Sequence, residues 1–474
     1  MKGANRSSKG AFLKGAATIA AGGFIAKLIG ALYRIPLTNL IGGHGIGLYQ
    51  MVYPVYCMLL TVSATGIPSS IAKLTAERLG KGQSDKPLFK AAMRLFLLIG
   101  LAGTAIMAAI ASFLSRAQGS QGVTAGYFTL APSVLLVSAI SVFRGWFQGR
   151  NNMLPTALSE ITEQLVKVAF GLLFAYLFRG NVEKAVVFLL LAVTLSELAA
   201  LVLMLVLFKR APARHEGTDE GGMYKASRIL RLSLPVTFSS LLIPLSALVD
   251  SVLVVRLLSR YAADAVTLYG LFSGGAVTVI NLPVSVCYGI AAASIPAVAA
   301  AKAKAELPEA DREGKTPSVR RRIFFSLGVT LAIAVPSALG LYFFAEPAVK
   351  IVFRSLRGEE LSTLVALVKT LSVSALTLSC AQTLSACLTA QGKPKFAAIS
   401  MLIGVVLKTA VYAVLLRNPQ ISVFGVAHAT NLCYLVAFLL DLVYNLIVSR
   451  KRSEKKDDHG NRFGSADGRS DEAG

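Results

Sequence analysis

The stretch FIAKLIGALYRIPLTNLIGGHGIGLYQMVYPVY, residues 24–56, contains the end of one apolar segment and most of the next. The two segments are separated by the glycine-rich sequence GGHGIG at 42–47. Each apolar segment has roughly the 20 residues that an α-helix needs to cross the hydrocarbon core of a membrane. This pattern predicts two antiparallel transmembrane helices joined by a short loop.

Apolar segments of the same length recur along the whole chain. Of the 474 residues, 54% are hydrophobic and only 15% are charged, whereas a soluble domain has about 25% charged residues. We therefore predict an all-α polytopic membrane protein with twelve transmembrane helices. The predicted spans are residues 12–33, 46–67, 89–113, 124–145, 155–178, 185–208, 232–256, 268–296, 322–345, 363–389, 396–416 and 423–448.

Lys and Arg residues are concentrated at the two termini and in the even-numbered loops. By the positive-inside rule, this distribution predicts a multi-pass membrane protein with both termini in the cytoplasm. It also accounts for most of the net charge of +23 without a nucleic-acid partner. Membrane lipids are the expected surroundings.

Short elements recur in the same order in the two halves of the chain. The matched elements are Arg34 and Arg256, GIPSSIAK (66–73) and SIPAVAAAK (294–302), QGR (148–150) and QGK (391–393), and Lys167 and Lys408. Duplication of a six-helix unit predicts two pseudo-symmetric lobes with a cavity between them. The predicted domains are an N-terminal lobe (1–208), a cytoplasmic linker (209–231), a C-terminal lobe (232–448) and a disordered cytoplasmic tail (449–474).

Motifs of soluble enzymes are missing from the sequence. Gly314-Lys315-Thr316 resembles the end of a P-loop, but Glu309 stands where the first glycine is required. The five cysteines lie in apolar segments without metal-ligand spacing. We expect no enzymatic activity, no metal and no cofactor. Sodium, protons, the membrane potential and the substrate's own gradient are the alternatives for the energy source.

Basic residues inside the predicted spans indicate a binding cavity. A charged side chain at the centre of a membrane helix costs about 2.5–3.5 kcal/mol on insertion scales, so it persists where it has a wet or charged neighbour. Lys27 and Arg34 are seven residues apart and share one face of span 1, and Arg256 repeats the Arg34 position. These three residues predict a basic cavity that binds pyrophosphate, because Arg and Lys both recognise phosphate oxygens. The alternative is snorkelling to the lipid headgroups.

Span 5 carries Glu160, Glu163 and Lys167 on one helical face. This spacing allows either an internal Glu163–Lys167 ion pair or a role in coupling or gating. Asp441 and Asn445 in the last span allow either a helix–helix hydrogen bond or a cation site. The candidate coupling or gating residues are Glu160, Glu163, Lys167, Asp250 and Lys408.

Three stretches carry a resemblance to a known family: residues 24–56, TGIPSSIAKLTAE (65–77) and FRGWFQGRNNMLPTALSEITEQ (143–164). They resemble the stage V sporulation protein B branch of the polysaccharide transporter family, within the multidrug/oligosaccharidyl-lipid/polysaccharide exporter superfamily. The resemblance implies two MATE-like six-helix lobes that work by alternating access. It also implies a location in the bacterial inner membrane and movement of undecaprenyl-linked glycans to the outer leaflet.

The first span resembles that of lipid II flippases in one further respect. Lys27 and Gly30 match a basic-x-x-Gly element whose basic residue lies in the central cavity of those proteins, and Arg34 falls within one residue of a second functional arginine. Lipid II flippases have fourteen spans, and their last two help to hold the lipid tail. With twelve predicted here, the place of the lipid tail is an open question.

The sequence therefore predicts a flippase for an undecaprenyl-pyrophosphate-linked cell-wall glycan, either lipid II or a related peptidoglycan or spore-cortex precursor. Cell-wall synthases are candidate partners. Three alternatives stay open. They are an exporter of another lipid-linked unit such as O-antigen or teichoic acid, a multidrug or cation antiporter, and a non-transporting scaffold for cell-wall synthases.

Overall fold

The computed structural model describes the backbone of residues 2–62, 66–211, 226–305 and 319–464. The side chain of Lys27 lies outside the described part, as do the side chains up to residue 21 and beyond residue 448. Most of the predicted linker, residues 212–225, is also outside it. The helices are α1 (Lys2–Leu60), α2 (Ile67–Gly80), α3 (Lys86–Ala117), α4 (Thr124–Gly149), α5 (Leu154–Leu177), α6 (Val182–Arg210), α7 (Ala226–Leu258), α8 (Ala265–Gly270), α9 (Val277–Ala305), α10 (Val319–Phe343), α11 (Ala345–Val352), α12 (Gly358–Ala390), α13 (Pro394–Leu415) and α14 (Phe424–Gly464).

The first two predicted spans are two helical segments that meet at a kink at Gly42, and the two segments together are labelled α1. Gly42 has φ +70° and ψ −177°, a conformation that glycine adopts far more readily than other residues. The glycine-rich sequence thus acts as a kink between two helical segments, and no separate loop is needed. Residues 271–276 form a π-helical turn between α8 and α9, so the eighth predicted span is one continuous but irregular helix.

Nine of the described helical segments are long and apolar enough to cross a membrane. The two halves of α1 and the whole of α5 are helical but are not among these nine. In α5 the reason is its three charged residues, Glu160, Glu163 and Lys167, which lie within the helix. The all-helical prediction is confirmed, whereas the count of twelve spans and their orientation stay predictions.

Three features of the helices differ from the prediction. The sequence predicts that span 2 continues to residue 67, but a separate helix, α2, begins there after Gly66. A short helix, α11, follows α10 on the connection to α12. The last helix continues to Gly464, past residue 448, and the disordered tail stays a prediction. Its extension contains several Lys and Arg residues, which are good helix formers.

Helices α2–α6 pack mainly within the N-terminal half and α9–α14 mainly within the C-terminal half, whereas α1, α7 and α8 also pack extensively against the other half. The two halves meet chiefly along α1, which packs against α7, α8 and α9. A large hydrophobic core runs through this contact and includes Leu48 and Met51 of α1 with Tyr269 and Phe272. Side chains on α1 are therefore the ones placed between the two halves, while the division into two lobes stays a prediction.

Candidate functional site

Arg34 lies on α1 where the two halves meet. Its side chain is partly buried, and its Nη1 donates a hydrogen bond of 3.1 Å to Thr278 Oγ1 on α9. Thr278 is itself buried. One of the five guanidinium N–H donors is thus engaged across the halves. A residue that the sequence places in a central cavity therefore lies on the contact between the halves.

Arg256, the sequence counterpart of Arg34, lies in the last turn of α7 and is exposed. Its neighbours Val255 and Leu257 are buried, so the helix turns the arginine away from the core. The two arginines that repeat in the sequence thus occupy different environments. The side chain of Lys27 is outside the described part of the chain, and the shared role of the three basic residues stays a prediction.

The polar face of α5 packs against small residues of α1. A Cβ added at Gly30 would lie 3.0 Å from Gln164 Oε1, and one added at Gly23 would lie 3.5 Å from Glu160 Oε2. The absence of side chains at these two glycines therefore lets the polar groups of α5 reach the backbone of α1. Glu160 is placed towards the half of α1 that carries Lys27 and Arg34.

Glu163 is paired with a residue on a neighbouring helix. Its Oε2 lies 3.5 Å from Nη2 of Arg144 on α4, and its Oε1 accepts a hydrogen bond of 3.0 Å from Gln164. Arg144 also donates from Nε to Ser159 Oγ at 2.9 Å. The ion pair that Glu163 forms within the described residues is thus with Arg144, and Lys167 is buried separately in α5.

A second buried acid in this half, Glu197 of α6, is hydrogen-bonded to a tyrosine. Tyr56 of α1 donates its hydroxyl to Glu197 Oε1 at 2.9 Å. Both side chains are almost fully buried. Tyr56 ends a row of aromatic rings on α1 in which Tyr49 stacks on Tyr53 at 5.1 Å between centroids. Glu197 could not be predicted as a site residue from the sequence, because its tyrosine partner is 141 residues away along the chain.

In the C-terminal half, two candidate coupling residues bind each other. Lys408 of α13 forms a hydrogen-bonded ion pair with Asp250 of α7, and its Nζ also donates to Ser246 Oγ at 3.1 Å. Lys408 and Asp250 are both buried. Both residues were predicted from the sequence as coupling candidates, but their contact with each other was not predicted. The Lys408 ammonium neutralises the Asp250 carboxylate through Oδ2, whereas Oδ1 is buried and has no donor among the described residues.

Contacts between the halves continue on the side that the charge pattern predicts to be outside the cell. His44 Nδ1, just after the kink in α1, lies 3.3 Å from both carboxylate oxygens of Asp264, which caps the N-terminus of α8. Gln50 Nε2 donates to the Ser273 carbonyl oxygen at 3.1 Å. Asn39 Nδ2, also on α1, donates to a carbonyl oxygen at the end of α11 at 2.8 Å. The described conformation is closed on this side.

The predicted cytoplasmic side contains a different set of ion pairs. Arg150, which follows α4, contacts Asp85 with Nε and Nη2 at 2.8 and 3.0 Å and stacks over Trp146 at 3.8 Å. Arg228 of α7 lies 3.0 Å from Glu77 of α2. The first pair ties two connections of the N-terminal half together, and the second joins that half to the start of α7.

Comparison with known proteins identifies the family. A family described as polysaccharide biosynthesis protein matches residues 12–302, which is more than half of the chain. The chain belongs to this polysaccharide biosynthesis protein family. Two Bacillus subtilis proteins are similar over most of their length. Stage V sporulation protein B is 26% identical, with 89% of this chain and 81% of that protein aligned. Lipid II flippase MurJ is 23% identical, with 91% and 82% aligned.

Solved structures give the fold of this family member. A multidrug resistance MATE family transporter of the MOP superfamily, in an inward-facing conformation, superposes with a TM-score of 0.76 at 15% sequence identity. The match covers 90% of this chain and 96% of that chain. The resemblance to the stage V sporulation protein B branch and to MOP transporters is confirmed. The chain is a multi-pass protein of the bacterial cell membrane with the fold of a MATE-type transporter.

Proposed function

We propose that this family member moves an undecaprenyl-pyrophosphate-linked cell-wall glycan, lipid II or a related peptidoglycan or spore-cortex precursor, across the membrane by alternating access. The sugar and pyrophosphate pass between the two halves while the polyprenyl chain stays in the lipid. Similarity to stage V sporulation protein B and to lipid II flippase MurJ supports the substrate class.

The observation that carries the proposal is the position of Arg34. A guanidinium on the contact between the halves, tethered by a hydrogen bond to Thr278, has further donors for a phosphate. Arginine can grip phosphate oxygens through paired hydrogen bonds, which adds geometric specificity to charge attraction. Because Thr278 belongs to the other half, a pyrophosphate that takes its place would weaken a contact between the halves. Substrate binding and opening would then be linked.

The partners of the buried acids argue against a cationic drug as the substrate. A cation-binding cavity needs a carboxylate that is free to meet the cation. Three acids already have partners among the described residues, namely Glu163 with Arg144, Glu197 with Tyr56, and Asp250 with Lys408. Removing these partners from their carboxylates would leave buried groups unsatisfied, at a cost of about 1–3 kcal/mol each and more for charged groups. An anionic cargo that binds Arg34 needs no such rearrangement.

The energy source is part of the proposal. A sodium ion at the free oxygen of Asp250, Oδ1, would lie beside the Lys408 ammonium on Oδ2 and be repelled by it. We therefore favour protons or the membrane potential over sodium bound at Asp250. No cofactor is needed for any of these sources.

The direct test is flipping of fluorescent lipid II by the purified protein in liposomes, with an imposed proton gradient, sodium gradient or potential. Wild-type protein should expose lipid II in the opposite leaflet. Arg34→Ala should lose about tenfold or more in rate, and Arg34→Lys should retain part of it because the charge stays while the paired hydrogen bonds go. Arg260→Ala, a change at an exposed residue after α7, is the matched control and should flip normally.

Two outcomes would count against the proposal. Wild-type protein that flips lipid II under none of the gradients would exclude this substrate. The same assay with lipid-linked teichoic-acid or O-antigen units would then identify the alternative cargo. Equal loss in Arg34→Ala and Arg260→Ala would show that surface charge, and not the Arg34 position, controls the rate.

A further inference from the structure

The C-terminal half contains a buried carboxylate whose partners differ from those of the other buried acids. Asp441 lies on α14, which packs against α12 and α13, and its side chain is 1% exposed. Next to it on α14, Phe438 and Leu442 pack into an apolar cluster with Leu384 and Cys387 of α12. The carboxyl group therefore lies in surroundings where a negative charge is poorly solvated.

Only one of the two carboxyl oxygens of Asp441 has a hydrogen-bond donor within the described part of the chain. Oδ2 accepts from the Ser385 hydroxyl of α12, whereas Oδ1 is buried and has no donor among the described residues. The Ser400 hydroxyl of α13 lies beside the carboxyl but donates to the Phe396 carbonyl oxygen at 3.0 Å. The carboxyl group thus receives one neutral hydrogen bond and, from the residues described, no charge-assisted one.

The charged and titratable groups on the surrounding helices do not supply a counter-ion within the described part of the chain. Lys302 of α9 donates from Nζ to the Gln391 carbonyl oxygen at 3.0 Å. Lys393 and Lys395, at the start of α13, are exposed. Cys387 of α12 is buried, and Tyr444 of α14 stacks on an aromatic ring of α13. The basic residues at the start of α10, which are also exposed, are Arg320, Arg321 and Arg322.

A second acceptor without a donor lies in the same cluster. Gln391 donates from Nε2 to Asn445 Oδ1 at 2.8 Å, and Asn445 donates from Nδ2 to the carbonyl oxygens of Asp441 and Leu384 at 2.8 and 3.1 Å. The amide oxygen of Gln391, Oε1, is buried and has no donor among the described residues. The side-chain amides of Gln391 and Asn445 donate to other oxygens, so the cluster has fewer hydrogen-bond donors than buried acceptors.

We propose that Asp441 is a proton-binding site and holds a proton in the described conformation. A proton from water on Oδ1 removes the negative charge, and the burial of an unpaired carboxylate is then avoided. It also turns an acceptor without a partner into a donor. Movement of α12 or α13 relative to α14 that admits water to Asp441 releases the proton, which links proton binding to the conformation of this half. This inference goes beyond the proposed function and does not depend on the cargo.

Infrared difference spectroscopy of the purified protein tests the inference without any substrate. The wild-type spectrum at neutral pH should contain the carbonyl-stretch band of a protonated carboxyl that is missing from Asp441→Asn. Labelling aspartate with carbon-13 should shift this band, which separates Asp441 from the buried Glu197. Titration to alkaline pH should remove the band. Because asparagine resembles a protonated aspartate in shape, Asp441→Asn should fold normally.

Three results would overturn the inference. If the labelled aspartate band is missing from wild-type protein at neutral pH, Asp441 is ionised. If sodium chloride removes the band at constant pH while choline chloride does not, the site binds sodium instead. Ser385→Ala provides a second variant in case Asp441→Asn misfolds. Loss of the donor to Oδ2 should shift the band and its titration midpoint, whereas an unchanged band would assign it to another carboxyl.

Discussion

Gly47 of α1 lies directly against Val266 of α8: a Cβ added at Gly47 would be 2.2 Å from the Val266 carbonyl oxygen. The same crossing is tight from the other side, because a Cβ at Gly270 would be 2.3 Å from the Gly43 carbonyl oxygen. Backbone meets backbone where the two halves are in contact, and no flexible side chain can move aside. Closure on the predicted outer side therefore depends on glycine at these positions.

Alanine at Gly47 is expected to open this contact. The added methyl group must push two backbones apart, and such overpacking typically costs about 1–3 kcal/mol. We expect a lower thermal unfolding midpoint and greater labelling of a cysteine introduced at His44 by a membrane-impermeant reagent. Gly289→Ala is the matched control, because it lies within α9 and a Cβ there meets nothing within 4 Å. Equal labelling in the two variants would contradict the role of the crossing.

Neutralising one member of the Lys408–Asp250 pair should destabilise the protein more than neutralising both. Removing one partner of a buried ion pair leaves an uncompensated charge, which costs about 3–5 kcal/mol. Asp250→Asn and Lys408→Met should each lower the free energy of unfolding in detergent, and the double variant should recover part of the loss. Lys395→Met, at an exposed position of α13, should have little effect. Additive losses in the double variant would show that the two residues do not interact.

The stacking of Arg150 on Trp146 should be visible in fluorescence, because the chain has a single tryptophan. Arg150→Ala removes the stacked guanidinium and the bidentate partner of the buried Asp85. We expect a shifted Trp146 emission and a loss of stability of about 3 kcal/mol. Arg116→Ala, which changes an exposed arginine on α3, should leave the emission unchanged. An unshifted spectrum in Arg150→Ala would exclude the stacking.

The His44–Asp264 contact should weaken in acid. Burial by itself raises the pKa of Asp264, but hydrogen bonds from Thr267 and the nearby His44 outweigh it, so the pKa lies below the ordinary value of 3.8. A lowered pKa in the folded state means that the stabilisation is present above the ordinary value and is lost as the pH falls through the folded value.

Asp264→Asn should therefore differ from wild-type protein in thermal midpoint near neutral pH, and the difference should diminish and then vanish as the pH falls below the ordinary pKa of an aspartate. The effect should be small and should shrink with added salt, because both side chains are about half exposed. A difference that grows on acidification would contradict the direction of this pKa shift.

Which segments form helices could be predicted from the sequence, because a long apolar segment is a local property of the chain. The kink at Gly42 and the separate helix α2 were harder to predict, since glycine permits either a loop or a bend. The positions of the two segments of α1 depend on packing against α5, α7 and α8, which no local pattern encodes.

The partners of the charged residues could not be predicted for the same reason. A helical wheel shows only which residues are neighbours on one helix, so it allows Lys167 as the partner of Glu163. In the structure, Glu163 forms its ion pair with Arg144 of α4. Asp250 and Lys408 are 158 residues apart, and the sequence selects them one at a time. Ionisable residues within apolar segments identify candidate site residues. Which of them form ion pairs depends on how the helices are arranged, and this arrangement cannot be predicted from local sequence.

The π-helical turn at 271–276 has a consequence for how this transporter can be altered. Val277 N–H bonds to the Phe272 carbonyl oxygen, so this turn contains one residue more than an α-helical turn. Each residue rotates a helix by about 100°. Deleting one residue here, such as Gly275, would turn Thr278 and everything after it on α9 by that angle and move Thr278 away from Arg34. A deletion at this point of the chain therefore rotates all the later residues of α9 relative to α1, which no single substitution can do.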